Sequence, residues 1–202
     1  MIKFVYFDVG GVALLDFSGT QKWSELKKSI GITPEKDRDF ESLWDAHCAR
    51  VCIDYDVDSF LPILTRKLGI SFPSHYSLLN EFVSRFEANN SLWPIIKDVS
   101  SKYQVGLLTN MYPRMLPILQ QKNLLPPISW NAVVDSSEVG YQKPQKEIYE
   151  IAQQKAHVAP QEILFVENTR SHIEGANAMN WHTFLYDPTQ IEKSNEALKA
   201  RL

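Results

Sequence analysis

The chain has 202 residues, 44% hydrophobic and 22% charged, a balance that excludes wholesale disorder and fits one domain or a core carrying an inserted subdomain. A formal charge of −3 excludes the broad basic face of a nucleic-acid binder, and no apolar run reaches the roughly 20 residues needed to cross a bilayer. Two cysteines make no disulfide framework, and the apolar start is short, lacks a small-residue cleavage site and runs into Asp8. The expectation is a soluble, cytoplasmic protein with no nucleic-acid or membrane partner.

Residues 2–7 form an apolar run broken only by Lys3, which predicts a strand covered on both faces. It ends at Asp8 and enters a loop punctuated by Gly10 and Gly11. From Asp16 to Asn90 the pattern reads as helices only. Trp23, Leu26 and Ile30 mark the first, closed by Gly31. Thr33 and Pro34 are an N-cap and a first helical residue, followed at helical spacing by Phe40, Leu43, Trp44, His47 and Val51. Asp58 is expected to cap a third helix carrying Phe60, Leu61, Leu64 and Leu68 and ending at Gly69, and Leu78, Leu79, Phe82, Val83 and Phe86 mark a fourth. His47, Cys48 and Cys52 suggest a zinc site on one helix, but no fourth ligand accompanies them, and they read better as residues of the helical core.

Further on, short apolar runs at 104–108, 131–135, 163–166 and 182–186 alternate with helical stretches at 113–121, 144–155 and 171–179. Strands alternating with helices predict an α/β fold, a Rossmann-like parallel sheet with right-handed crossovers and with ligands beyond the carboxyl ends of its strands. The expected division is a core of residues 1–15 and 91–202 with a helical cap of residues 16–90 inserted over the sheet edge.

Four strand ends carry chemistry. Asp8 is a carboxylate at the mouth of a buried strand, desolvated unless paired. Gly10 and Gly11 let backbone come close to an ion or anion. Thr109 and Asn110 offer a hydroxyl, an amide and a backbone N–H suited to phosphate oxygens. Lys143 precedes Pro144, which biases it to extended backbone and places Pro144 to start the next helix; a cation there would neutralise charge developing beside a carboxylate nucleophile. Glu167 and Asn168 bring oxygen donors that, beside Asp8, suit a hard cation such as magnesium. Singly, each also reads as a strand-end cap or a solvated loop residue. A parallel sheet brings all four ends to one edge.

The order Phe7-Asp8-Val9-Gly10-Gly11-Val12, Leu107-Leu108-Thr109-Asn110, Ser137 to Pro144 with its Gly-Tyr-Gln-Lys-Pro ending, and Leu164-Phe165-Val166-Glu167-Asn168 running into Gly175-Ala176 resembles the haloacid dehalogenase (HAD)-like hydrolase superfamily. Within it the chain resembles the branch of sugar-phosphate phosphatases and the phosphatase domain of epoxide hydrolases. The resemblance spans the chain and implies a phosphatase acting on a small phosphorylated substrate with Mg2+. Asp8 would be the nucleophile, forming an aspartyl-phosphate. Asp8, the Gly10 carbonyl and Glu167 or Asn168 would hold or orient the metal. Thr109, Asn110, Gly11 and Lys143 would hold the phosphoryl group, with Lys143 also neutralising charge.

Two departures from the family pattern bear on the chemistry. Gly10 stands where most of these phosphatases carry a second Asp that protonates the leaving group, and Asn168 stands where a metal-binding Asp is usual. His172 replaces an Asn or Asp. Asp16 offers either a substitute acid or a hinge residue at the base of the cap, the hinge being favoured. The departures leave an alternative: a family member that binds a ligand or protein without turnover. A dehalogenase would carry an aromatic and a hydroxyl residue at positions 10 and 12, so the resemblance argues against dehalogenation.

Overall fold

A computed structural model describes all of residues 1–202. The first strand, β1 (Phe4–Phe7), is buried along its whole length. Its side chains alternate: Val5 and Phe7 enter an apolar cluster on one face of the sheet, while Phe4 and Tyr6 enter a second cluster on the other. That two-sided burial is why the run is apolar without a period.

After the Asp8 loop, β2 (Leu14–Leu15) leads into α1 (Lys22–Ser29) and α2 (Pro34–His47). A 3₁₀ turn over Val57–Phe60 runs into α3 (Leu61–Leu68), closed by Gly69 in the left-handed region, and α4 (Leu78–Val83) follows. β3 (Glu87–Ala88) then pairs antiparallel with β2, Leu14 opposite Ala88 and Leu15 opposite Glu87. The inserted helices therefore leave and rejoin the core through one two-stranded neck. Lys22 binds both sides of it, donating to the Leu15 carbonyl at 3.1 Å and pairing with Glu87 at 2.8 Å.

The remainder alternates. α5 (Trp93–Ser100), β4 (Gln104–Thr109), α6 (Met115–Gln121), β5 (Ala132–Asp135) and the short α7 (Ser136–Val139) are followed by α8 (Lys146–Ala156), β6 (Ile163–Glu167), α9 (Arg170–Ala178), β7 (His182–Leu185) and α10 (Ile191–Arg201). The five long strands form one parallel sheet in the order β5-β4-β1-β6-β7, with Phe7 of β1 in register with Leu107 on one side and Val166 on the other. The chain builds outward from β1 to β5, then crosses back to β6. The strand order reverses at β1, and the crevice beyond the carboxyl ends of β4, β1 and β6 is the place where such sheets hold ligands. The expected α/β, Rossmann-like sheet is present. No helix is long and apolar enough to cross a membrane.

Several local expectations are corrected. The segment 16–90 is not helices only, because it contains β3. α2 stops at His47, so Val51 lies in the following turns and Cys48 and Cys52 do not share a helix. Asp58 does not cap the third helix. Asp56 accepts the Asp58 N–H at 3.0 Å, and Asp58 Oδ1 reaches across to accept the Leu79 N–H at 3.0 Å in the first turn of α4. Pro144 does not start α8, which begins at Lys146 after Gln145.

Candidate active site

Asp8 follows β1 directly, and its Oδ1 accepts the Val9 N–H at 2.7 Å. The same oxygen pairs with Lys143 Nζ at 2.9 Å. Lys143 is buried and spends all three donors: on Asp8, on Glu167 Oε2 at 2.6 Å and on the Leu108 carbonyl at 3.1 Å. Its ammonium also stands 5.2 Å from the centre of the Phe165 ring. Glu167 accepts four bonds. Oε2 takes Lys143 and meets His172 Nδ1 at 3.0 Å, and Oε1 takes the Asn168 and Thr169 N–H groups, both at 2.8 Å. Tyr149 in turn donates its hydroxyl to the His172 carbonyl at 2.8 Å, anchoring the start of α9. A buried ion network of this kind is tolerable only when its members are satisfied, and these are.

Two carboxylates share one cation, and their environments separate them. Burial, followed by the Glu167 charge, raises Asp8 to about 7 despite Lys143. Burial disfavours the Glu167 anion too, but Lys143 and the His172 bond outweigh it and pull Glu167 down to about 2. Burial also opposes the Lys143 charge, and the Asp8 and Glu167 charges overcome it and raise the ammonium above its ordinary value. Burial and the Glu167 charge thus disfavour the Asp8 anion, while Lys143 and the His172 bond favour that of Glu167.

The structure brings the expected residues together and redistributes their work. The Asn110 carboxamide clamps the Lys143 backbone, donating to its carbonyl at 3.0 Å and accepting its N–H at 2.8 Å, so this side chain holds the lysine and is not a phosphate donor. Gly11 does not offer its N–H to a substrate, since that group donates to the Leu14 carbonyl at 2.8 Å within the loop. Its φ of +74° and the Asn168 carboxamide packed where a Cβ would point explain the glycine instead. Within the chain the N–H groups of Gly10 and Asn110 and the Thr109 hydroxyl have no acceptor, and they remain as donors at the crevice.

The donor set fits a hard cation. One terminal atom of the Asn168 carboxamide lies 3.2 Å from the Gly10 carbonyl oxygen and 2.8 Å from Glu167 Oε1. As N–H2 it bonds both. Turned over, it presents an amide oxygen beside the Gly10 carbonyl, both oxygen donors of the kind magnesium takes. Glu167, with its four bonds already made, would orient these groups rather than bind an ion itself.

A small, partly open cleft of about 70 Å³ lies beside these groups, walled by Gly10, Asn110, Asp16, Tyr112 and apolar residues including Leu14, Phe17, Phe86, Met115 and Leu119. Asp8, Thr109 and Lys143 lie outside its wall, Asp8 and Thr109 each one residue removed from wall positions Val9 and Asn110. Asp16 Oδ1 accepts the Ser18 N–H at 2.8 Å, and burial raises its carboxyl above the ordinary value. A Cβ added to Gly10 would collide with Asp16 Oδ2 and come within 3.2 Å of its Cγ. The positions of Asp16 and His172 beside the site are set by tertiary packing, and the only signal for them in the sequence is a missing side chain at Gly10 and a polar residue one turn into the last motif.

No protein-family model matches the chain, and no curated protein matches it. Solved structures do. A predicted HAD-like family hydrolase from Porphyromonas gingivalis superimposes with a TM-score of 0.78 at 20% identity, over 100% of this chain and 99% of that one. The HAD family enzyme BT-2542 of Bacteroides thetaiotaomicron, in complex with magnesium and inorganic phosphate, gives 0.76 at 18% identity over 94% and 96% of the two chains. An L-2-haloacid dehalogenase from Xanthobacter autotrophicus with chloropropionic acid covalently bound gives 0.63 at 19% identity over 92% and 78%. The fold is that of the HAD-like hydrolases.

Proposed function

We propose that the protein is a magnesium-dependent phosphohydrolase of the HAD-like superfamily acting on a small phosphorylated metabolite through an aspartyl-phosphate on Asp8. The observation that carries this reading is the buried Asp8–Lys143–Glu167 chain at the reversal point of the sheet, flanked by the free Thr109 hydroxyl and the free N–H groups of Gly10 and Asn110. An unpaired Asp8 oxygen is the nucleophile, while Lys143 fixes the other oxygen and offsets negative charge as the phosphoryl group arrives. Thr109 and the two N–H groups receive the phosphoryl oxygens, which carry most of the charge in the transition state. Asp8, the Gly10 carbonyl and the Asn168 amide oxygen would hold Mg2+, which when bound supplies electrostatic stabilisation of the phosphoryl oxygens. The fold neighbour solved with magnesium and inorganic phosphate supports the same reading.

In this reading residues 1–15 and 91–202 act as the catalytic core and residues 16–90 as the cap that shapes the substrate's entry. The test is turnover of p-nitrophenyl phosphate by purified protein with and without magnesium. The expected result is metal-dependent hydrolysis that Asp8→Asn abolishes. A wild-type protein inert toward this ester and toward a panel of sugar phosphates and nucleotides would overturn the proposal in favour of ligand binding without turnover.

A further inference from the structure

Transfer of a phosphoryl group to Asp8 leaves an alkoxide or phenoxide that needs a proton, and the second step needs a base for water. Lys143 cannot do this work, because its three donors are committed to Asp8, Glu167 and the Leu108 carbonyl. Glu167 accepts four bonds and lies fully buried behind the lysine. His172 is turned into the same network through Glu167. Among the residues walling the cleft beside Gly10 only two have side chains that exchange protons, Asp16 and Tyr112, and Asp16 is the only carboxylic acid.

Asp16 is also held from both sides along the chain. The residue before it, Leu15, is held in β2 opposite Glu87. The residue after it, Phe17, is held by rings of Trp23, Phe82 and Phe86 at 5.4, 5.5 and 5.2 Å. Between these anchors Oδ1 is occupied by the Ser18 N–H, and Oδ2 fills the space above Gly10, two residues beyond the nucleophile. That position has no room for a side chain of its own: any Cβ on residue 10 must displace the Asp16 carboxyl group.

We propose that Asp16 is the proton-transfer residue of this site, reaching the reacting oxygens from the neck of the insert through the space that Gly10 leaves open. The proposal rests on the phosphohydrolase reading. In the first step an Asp8 oxygen forms a bond to phosphorus, the bond from phosphorus to the ester oxygen breaks, and that oxygen takes the proton of the Asp16 carboxyl group to leave as an alcohol. In the second step water attacks the phosphorus of the aspartyl-phosphate and gives its proton to the Asp16 carboxylate. The bond to Asp8 breaks, releasing inorganic phosphate and restoring both side chains to their starting states.

Proton donation matters most when the leaving group is basic, so the test compares kcat/KM, which reports the first step, for phenyl phosphate and p-nitrophenyl phosphate in wild type and Asp16→Asn. The amide oxygen of Asn keeps the bond from the Ser18 N–H. The expected result is a fall of about 10²–10⁴-fold for phenyl phosphate and a markedly smaller one for p-nitrophenyl phosphate. An equal fall for both esters, or none for either, overturns the role of Asp16 while leaving the Asp8 mechanism standing. Loss of both activities in Asp8→Asn separates the two claims, since turnover surviving in that variant would sink the underlying reading instead. If Asp16→Asn fails to fold, Asp16→Ser keeps a short acceptor at the same turn and carries the same expectation.

Discussion

At the sheet edge the buried groups are charged: Asp8, Lys143 and Glu167 sit in a closed network in which the lysine and Glu167 have no unmet bond. In the inserted helices the buried groups are mostly apolar: aliphatic side chains such as Leu26, Leu64 and Leu79 around the rings of Phe40, Phe60 and Phe82, with partly buried tryptophans against them. Trp23 packs on Trp44 at 5.0 Å, Trp44 on Phe60 at 5.7 Å, and Phe82 on Tyr112 of the core at 5.7 Å. The first region depends on matching each charge to a partner at a fixed distance, and it tolerates no deletion of one member. The second depends on apolar area and shape, and losses there scale with the volume removed.

The largest expected effect tests the charged region. Lys143→Met leaves two buried carboxylates without their cation and should cost about 3–5 kcal/mol of stability in a denaturant titration. Adding Glu167→Gln to that variant should recover part of the loss, because it removes one of the stranded charges. Failure of the second change to help would break the contrast. A smaller effect is expected in the insert. Leu64 is fully buried, and Leu64→Ala should cost about 3 kcal/mol by the same measurement, a loss that no charge substitution relieves.

The smallest effect lies where the two regions meet. Arg114, in the loop after β4, pairs with Asp56 at 2.5 Å and Asp58 at 3.0 Å across the boundary. Burial opposes ionisation of Asp58, but the Leu79 N–H, Arg114 and Ser77 outweigh it and hold the carboxyl below its usual range. A depressed folded-state pKa contributes stability that is present above the unfolded value, near about 4, and is lost as pH falls through the folded value. Asp58→Asn should therefore cost about 1 kcal/mol at pH 7, and its stability curve should converge on that of wild type below about pH 4. Parallel curves across that window would show that the boundary bond owes nothing to charge.

The central strands were legible because they are buried on both faces: 163–166 is apolar throughout, and 104–108 is buried from Val105 onward. Their carboxyl ends, and with them Asp8, Thr109, Lys143 and Glu167, followed from the alternation with helices. β2 and β3 were not legible, because two-residue strands have no period and Leu14-Leu15 looks like any apolar pair. Asp58 was assigned to its nearest helix, as local spacing requires, whereas its bond runs to Leu79 in the next one. The division of labour in the site was hidden for a similar reason. That Asn110 clamps Lys143, or that Asp16 fills the space over Gly10, depends on contacts between segments far apart or on the path of a loop.

The neck of β2 and β3 has a consequence for the history and engineering of the chain. Because Leu14 lies opposite Ala88 and Leu15 opposite Glu87, the two ends of the insert are neighbours, and the entropy of closing the loop between them depends only weakly on its length. The pair of strands sets only where the insert leaves and returns. Its apolar residues, among them Phe60, Leu64 and Phe82, share one core with Val5, Phe7 and Leu107, so a replacement has to re-enter at the same strands, refill that shared core and keep an acid in the residue that follows Leu15.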